Sequence, residues 1–168
     1  MTNAEFELPP EDSYAPGTLF FGRVLVATPD LHLIAEALQC YPTSVIVRIT
    51  ARFRSLPGLA AQRAVGADVN AFRVLDDHMG PRLLVGRPGQ PPLEARPWGS
   101  GGSGRLWRLT FWAPFDSGAV QPLELTFSWV NRDVAPTPWS VEAQTLQAVV
   151  TSGMAIWPPT NAAYRSVV

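Results

Sequence analysis

Residues 43 to 54 read Thr43-Ser44-Val45-Ile46-Val47-Arg48-Ile49-Thr50-Ala51-Arg52-Phe53-Arg54. Val45, Val47, Ile49, Ala51 and Phe53 fall on one side of an extended chain, with Ile46, Arg48, Thr50, Arg52 and Arg54 on the other. Successive side chains of a strand point to opposite faces, so this period of two marks a half-buried antiparallel strand. Asp30 to Gln39 alternates as well, with Leu31, Leu33, Ala35 and Ala37 against His32, Ile34, Glu36 and Leu38. Only Cys40-Tyr41-Pro42 joins the two runs, and so short a link predicts a hairpin. With a turn near Pro42 and odd-numbered inner faces, facing residue numbers sum to about 84, because a slip by one would turn buried side chains outward. That register sets Glu36 opposite Arg48 and His32 opposite Arg52 on the outer face. Glu36 then pairs with Arg48, and an acidic partner is expected nearer to Arg52 and Arg54, the unpaired part of the stripe.

Working outward, Leu19 to Ala27 is a further apolar strand that stops at Thr28-Pro29-Asp30. Leu56 to Asn70, rich in small residues with two interior glycines, reads as an irregular connection with at most one helical turn. Ala71 to Leu75 and Arg82 to Arg87 are short strands about the polar turn Asp76 to Pro81, and Pro88 to Gly104 is a long loop with four prolines. Arg105 to Ala113 and Leu123 to Val130 are strong strands, followed by the breaker Ala135-Pro136-Thr137-Pro138. Leu146, Val149, Val150, Gly153, Met154, Ile156 and Trp157 then recur at helical spacing. They predict a helix over about 142–156, stopped by Pro158-Pro159, whose stripe packs on the sheets. The fold expected is mainly β: an antiparallel β-sandwich of the immunoglobulin or jelly-roll kind with one C-terminal helix. It would occupy residues 18–158, between a disordered acidic tail over 1–17 and a second tail over 159–168.

The chain has 168 residues, enough for one domain that buries roughly two-thirds of its unfolded surface. Hydrophobic residues make up 46% and charged residues 16%, a balance that favours a packed core over disorder. All 13 basic residues are arginine. Without lysine there can be no Schiff-base or pyridoxal phosphate enzyme, no Ser-Lys hydrolase and no P-loop NTPase. The formal net charge of −1 provides no global field for nucleic acid or an anionic membrane, so neither is expected as a partner. Cys40 is the only cysteine, which excludes an intramolecular disulfide and a Cys-rich zinc site. Residues 1–17 carry Glu5, Glu7, Glu11 and Asp12, the opposite of a cationic signal sequence, and no apolar run approaches the roughly 18 residues of a membrane span. A cytoplasmic location is expected.

Four stretches are similar to a family of small, functionally uncharacterised actinobacterial proteins. They are Ala27-Thr28-Pro29-Asp30 with the strand to Tyr41-Pro42-Thr43-Ser44 and its arginine-tipped successor, the glycine-rich approach to Arg105-Leu106-Trp107-Arg108 and Phe111-Trp112-Ala113-Pro114, Pro122 to Trp129, and the ending Ala155-Ile156-Trp157-Pro158. The resemblance covers most of residues 19–158. It departs at Phe115 to Gln121, where such proteins carry a proline-rich turn. It implies the β fold and, since the family has no assigned activity, no mechanism.

Gly99, Gly101 and Gly104 match G-x-G-x-x-G, with Glu124 20 residues beyond, but dinucleotide binding needs a strand before the motif and a helix after it. A flexible loop is the expectation, and no cofactor is implied. Asp76, Asp77 and His78 diverge on a turn, so no metal site is expected there. The two histidines, His32 and His78, do not accompany a G-x-S-x-G elbow, and Cys40 reads as a packed side chain, so no catalytic residue is assigned. Trp107 and Trp129 read as core, while Trp98, Trp112 and Trp139 are the candidate exposed contacts.

The leading expectation is a noncatalytic sandwich that acts through protein contacts, with an unidentified partner or with itself, by burying an aromatic patch flanked by arginines. Trp98, Trp112, Trp139, Arg52 and Arg54 are its candidate contact residues. The alternative is a carbohydrate or small-ligand binder that stacks its ligand on those tryptophans, and a third is an enzyme built on Asp76, Asp77 and Glu124.

Overall fold

The two alternating runs form neighbouring strands, and the link between them is a tight turn in which the Tyr41 N–H donates to the Ser44 carbonyl at 2.9 Å. A computed structural model describes residues 14–56, 58–71, 79–115 and 121–156. In chain order the elements are β1 (Tyr14–Ala15), β2 (Gly17–Ala27), β3 (Leu31–Cys40), β4 (Ser44–Phe53), α1 (Gly58–Ala71), β5 (Pro81–Gly86), β6 (Leu93–Glu94), β7 (Arg96–Ser103), β8 (Leu106–Pro114), β9 (Leu123–Trp129), β10 (Val134–Val141), α2 (Ala143–Ser152) and β11 (Met154–Ala155). A 3-10 turn over Val130–Arg132 joins β9 to β10. All pairings are antiparallel. They give a five-stranded sheet in the order β2-β3-β4-β8-β7, a four-stranded sheet in the order β10-β9-β5-β6 and a β1-β11 pair.

The inner faces of the two large sheets share one core. Phe111 of β8 meets Phe127 of β9 edge to face at 6.1 Å, and Phe53 of β4 meets Trp129 of β9 in the same way at 6.4 Å. Such T-shaped contacts place a ring edge against a π face and lock the layers together. The expected mainly-β sandwich with a C-terminal helix is therefore what the chain forms.

Four elements differ from expectation, each for a physical reason. Residues 58–71 form a regular helix, although its only buried side chain among the described ones is Val65; five alanines supply helix propensity without an apolar stripe. The presumed loop at 88–104 contains β6 and the edge strand β7, whose glycines pair through backbone alone. Gly104, with φ 57°, then opens a two-residue link to β8, as a primed hairpin turn requires. The glycine motif is thus a strand and a turn. The breaker at 135–138 lies within β10, because β10 is an edge strand and its register shifts between Val134 and Thr137, so Pro136 and Pro138 cost no central ladder bonds.

The terminal helix is the fourth. It stops at Ser152, and β11 follows in extended form to pair with β1, which leaves Met154 exposed rather than part of a buried stripe. Leu146 and Val149 do pack into the core. A Cβ on Gly17 would lie 1.7 Å from the Val149 carbonyl oxygen, so α2 rests directly on the β2 backbone. Trp157, Pro158 and the expected turn strand at 72–75 lie outside the described residues.

The β3/β4 register holds for half its length. Leu31 to Ala35 face Phe53 to Ile49 with sums of 84, including His32 opposite Arg52. A bulge at Glu36 then shifts the pairing by one, so that Ala37, not Glu36, stands opposite Arg48. The shift turns Leu38 inward, where it is fully buried opposite Val47. Burying the larger side chain is favourable, and Glu36 is displaced as a result.

Candidate functional site

Register places the outer face of the five-stranded sheet in rows. One row runs Phe20, Ala37, Arg48, Thr110; the next runs Val24, Ile34, Thr50, Arg108; and the third runs Ala27, His32, Arg52, Leu106. Rows lie roughly 7 Å apart along the strands, and strands roughly 4.8 Å apart. Arg48 and Arg52 therefore bracket Thr50, with Arg108 directly across from it. All three arginines are exposed, whereas Thr50 is buried, as expected of a short side chain standing among long aliphatic stems. No group among the described residues hydrogen-bonds Thr50 Oγ1.

Arg108 joins the cluster only once β4 and β8 are aligned, since nothing local in Arg105-Leu106-Trp107-Arg108 says which strand lies beside it. The bulge adds Arg48 to the cluster by moving Glu36 away. Among the described residues, none of Arg48, Arg52 and Arg108 has a carboxylate partner. Arg54 lies past the end of β4, exposed, with its carbonyl accepting a hydrogen bond from Arg105 Nη1 at 3.2 Å.

Beside the arginines stands an apolar shoulder. Phe20 is 80% exposed and Val24 53% exposed, large values for side chains on the middle of a strand. On the other side, Gly99 and Gly101 of β7 leave a trough of about 420 Å³ bordered by Leu106, Arg108 and Thr110.

The tryptophans separate. Trp139, expected on a loop, faces inward from β10 at 5% exposure and is not a contact residue; the bulge in β10 sets its side. Trp112 is half-buried at the end of the outer face, with the Arg96 guanidinium 5.8 Å from its ring. Trp98 is partly exposed at a bulge of β7. Trp129 is core as expected, and Trp107, half-buried, donates from Nε1 to the Gly104 carbonyl.

No family model and no curated protein matches the chain. Among solved structures, the chain has a likeness to a novel protein of unknown function from Burkholderia pseudomallei K96243, at 10% identity over 77% of this chain and 82% of that one, with a TM-score of 0.36. A likeness of that size carries no argument here.

The chemistry available elsewhere is limited. A groove of about 400 Å³ lies between Arg87, Gln90, Leu93 and Phe115, with the Arg87 guanidinium 4.8 Å from the Phe115 ring, and no tryptophan lines it. Cys40 is buried, which pushes its thiol up to about 12 and keeps it protonated and unreactive at neutral pH. Glu124 is exposed on β9, and Asp76, Asp77 and His78 lie outside the described residues. Among the described residues no three His, Cys, Asp or Glu side chains group as a metal site, and no helix is long and apolar enough to cross a membrane.

Proposed function

We propose that this is a noncatalytic β-sandwich that acts by docking a protein partner on the outer face of its five-stranded sheet. The observation that carries the reading is Phe20, 80% exposed in the same row as Arg48, on a face whose three arginines have no acid of their own among the described residues. Exposed aromatic and arginine side chains together are the composition of interface hot spots. The uncompensated charge selects an acidic partner. A carbohydrate platform has less support, because Trp139 is buried and Trp98 and Trp112 sit on different strands, neither of them lining the trough beside Arg108.

The test is capture from native lysate with three baits: wild type, Phe20→Ser and Arg48→Ala/Arg52→Ala/Arg108→Ala. A partner held by wild type and lost by both variants is the expected result. Capture that both variants retain in full would place the contact elsewhere.

A further inference from the structure

We infer that the outer face recognises a phosphoryl group on a side chain of its protein partner, held over Thr50 by Arg48, Arg52 and Arg108. The inference rests on the reading of this face as a docking surface, and it names the acidic group that the surface takes. Thr50 decides it. Its side chain is 1% exposed on the face that carries the arginines, and its Oγ1 has no hydrogen-bond partner among the described residues. A buried hydroxyl left without a partner costs folding free energy, so native chains keep few of them. Here the hydroxyl lies among three cations that have no carboxylate partner among the described residues. Arg48 and Arg52 stand roughly 7 Å from it in either direction along β4, and Arg108 roughly 4.8 Å across on β8, all within the length of an arginine side chain. Exposed side chains change rotamer within nanoseconds, so the stems that cover the hydroxyl part readily.

The donor set selects among oxyanions. Three guanidinium forks arrive from three sides and a hydroxyl from below. A carboxylate is planar with two oxygens, and a phosphodiester has two terminal oxygens and a single charge. A phosphate monoester has three terminal oxygens and a charge of about −1.5 to −2 at pH 7, so each oxygen takes one fork while the hydroxyl donates from beneath.

Strand β7 leaves room for the chain that carries the phosphate. Gly101 faces Arg108 and Gly99 faces Thr110, and a Cβ at either position would meet no atom within 4 Å. Neither glycine has a φ in the left-handed region. The described fold therefore requires glycine at neither position, although glycine weakens a strand interior. What the two glycines leave is the trough of about 420 Å³ beside Arg108, where an extended backbone can approach the site closely.

The test titrates the isotope-labelled full chain and follows its amide shifts. The probes are a phosphoserine pentapeptide with glycine at its other positions, its glutamate counterpart, inorganic phosphate, hexaglutamate and hexathymidylate. The phosphopeptide should bind about tenfold tighter than its glutamate counterpart, with shifts at Arg48, Thr50 and Arg108. Thr50→Val keeps the shape of the side chain and removes the hydroxyl. It should unfold as cooperatively as wild type, weaken phosphopeptide binding about tenfold and leave hexaglutamate binding unchanged. Gly101→Thr, which fills the trough with a good strand former, should weaken the phosphopeptide and spare inorganic phosphate. Equal affinity for the two pentapeptides, or phosphopeptide binding that both variants retain in full, overturns the inference; hexaglutamate still bound at Arg48 and Arg108 then leaves the docking reading standing. Tighter binding of inorganic phosphate or of hexathymidylate than of the phosphopeptide overturns the assignment to a protein side chain. No shift on this face with any probe removes both readings.

Discussion

On the four-stranded sheet, Arg82 of β5 grips Glu94 of β6 with a forked pair, Nε to Oε1 at 2.6 Å, and that hydrogen bond raises the guanidinium above its ordinary value. At the end of the same sheet, Arg132 bonds Asp68 of α1 through Nε at 2.9 Å while its guanidinium lies 5.7 Å from the Phe53 ring and 5.9 Å from the Trp129 ring. On the five-stranded sheet, Arg48, Arg52 and Arg108 have neighbours but no acid among the described residues. The first two arginines complete contacts between elements. The other three leave theirs open, and under the proposed docking function the two sheets would divide folding from recognition.

The contrast is broken most sharply through phenylalanine. Phe127 is fully buried and Phe20 is 80% exposed. Phe127→Ala should cost about 3–5 kcal/mol in denaturant unfolding, because it empties the inter-sheet core, whereas Phe20→Ala should stay within about 0.5 kcal/mol. A Phe20 variant destabilised as much as the Phe127 variant would mean that the outer face is structural.

The arginines give the next test. Arg132→Ala strips Asp68, whose side chain is 12% exposed, of its cation and should cost about 1–3 kcal/mol. Arg48→Ala, at an exposed site, should change stability by less than about 0.5 kcal/mol while weakening hexaglutamate binding as much as Arg52→Ala does. Comparable stability losses at Arg132 and Arg48 would erase the division.

The smallest effect at neutral pH belongs to Cys40. Its ordinary value of 9.0 rises to about 12 in the folded chain. A group raised on folding contributes its stabilisation in full below pH 9, and the contribution is lost as pH climbs from 9 to 12, because the unfolded thiol ionises first. Stability should therefore fall more steeply between about pH 9 and 11 in wild type than in Cys40→Ala, with no difference in slope near pH 7. Parallel slopes would show the thiol to be solvated.

The legible parts of the molecule are those with one wet face. Thr43 to Arg54 and Leu123 to Val130 alternate because water lies on one side, so strand and face follow from composition alone. The edge strands β7 and β10 were hidden because edges tolerate the Gly and Pro that read as breaks. α1 was hidden because alanine has helix propensity but little hydrophobic signal. At the site, Arg48 and Arg52 were visible on one strand, Arg108 needed the β4/β8 pairing, and the displacement of Glu36 could not be read at all. A bulge is decided by which side chain fits the core, a comparison between Ala37 and Leu38 that exists only once the opposite sheet is present.

The short ladder in which Tyr14 faces Ala155 and Ala15 faces Met154 ties the two ends of the described chain into adjacent positions. A domain closed in this way behaves as a cassette. It can be spliced into a surface loop of another protein through two neighbouring points, with little disturbance to its host. Conversely, a short bridge from residue 156 to residue 14 permits circular permutants with new ends at the exposed 88–90 turn. Such a permutant would carry the sandwich intact while moving residues 1–13 to wherever the experimenter chooses.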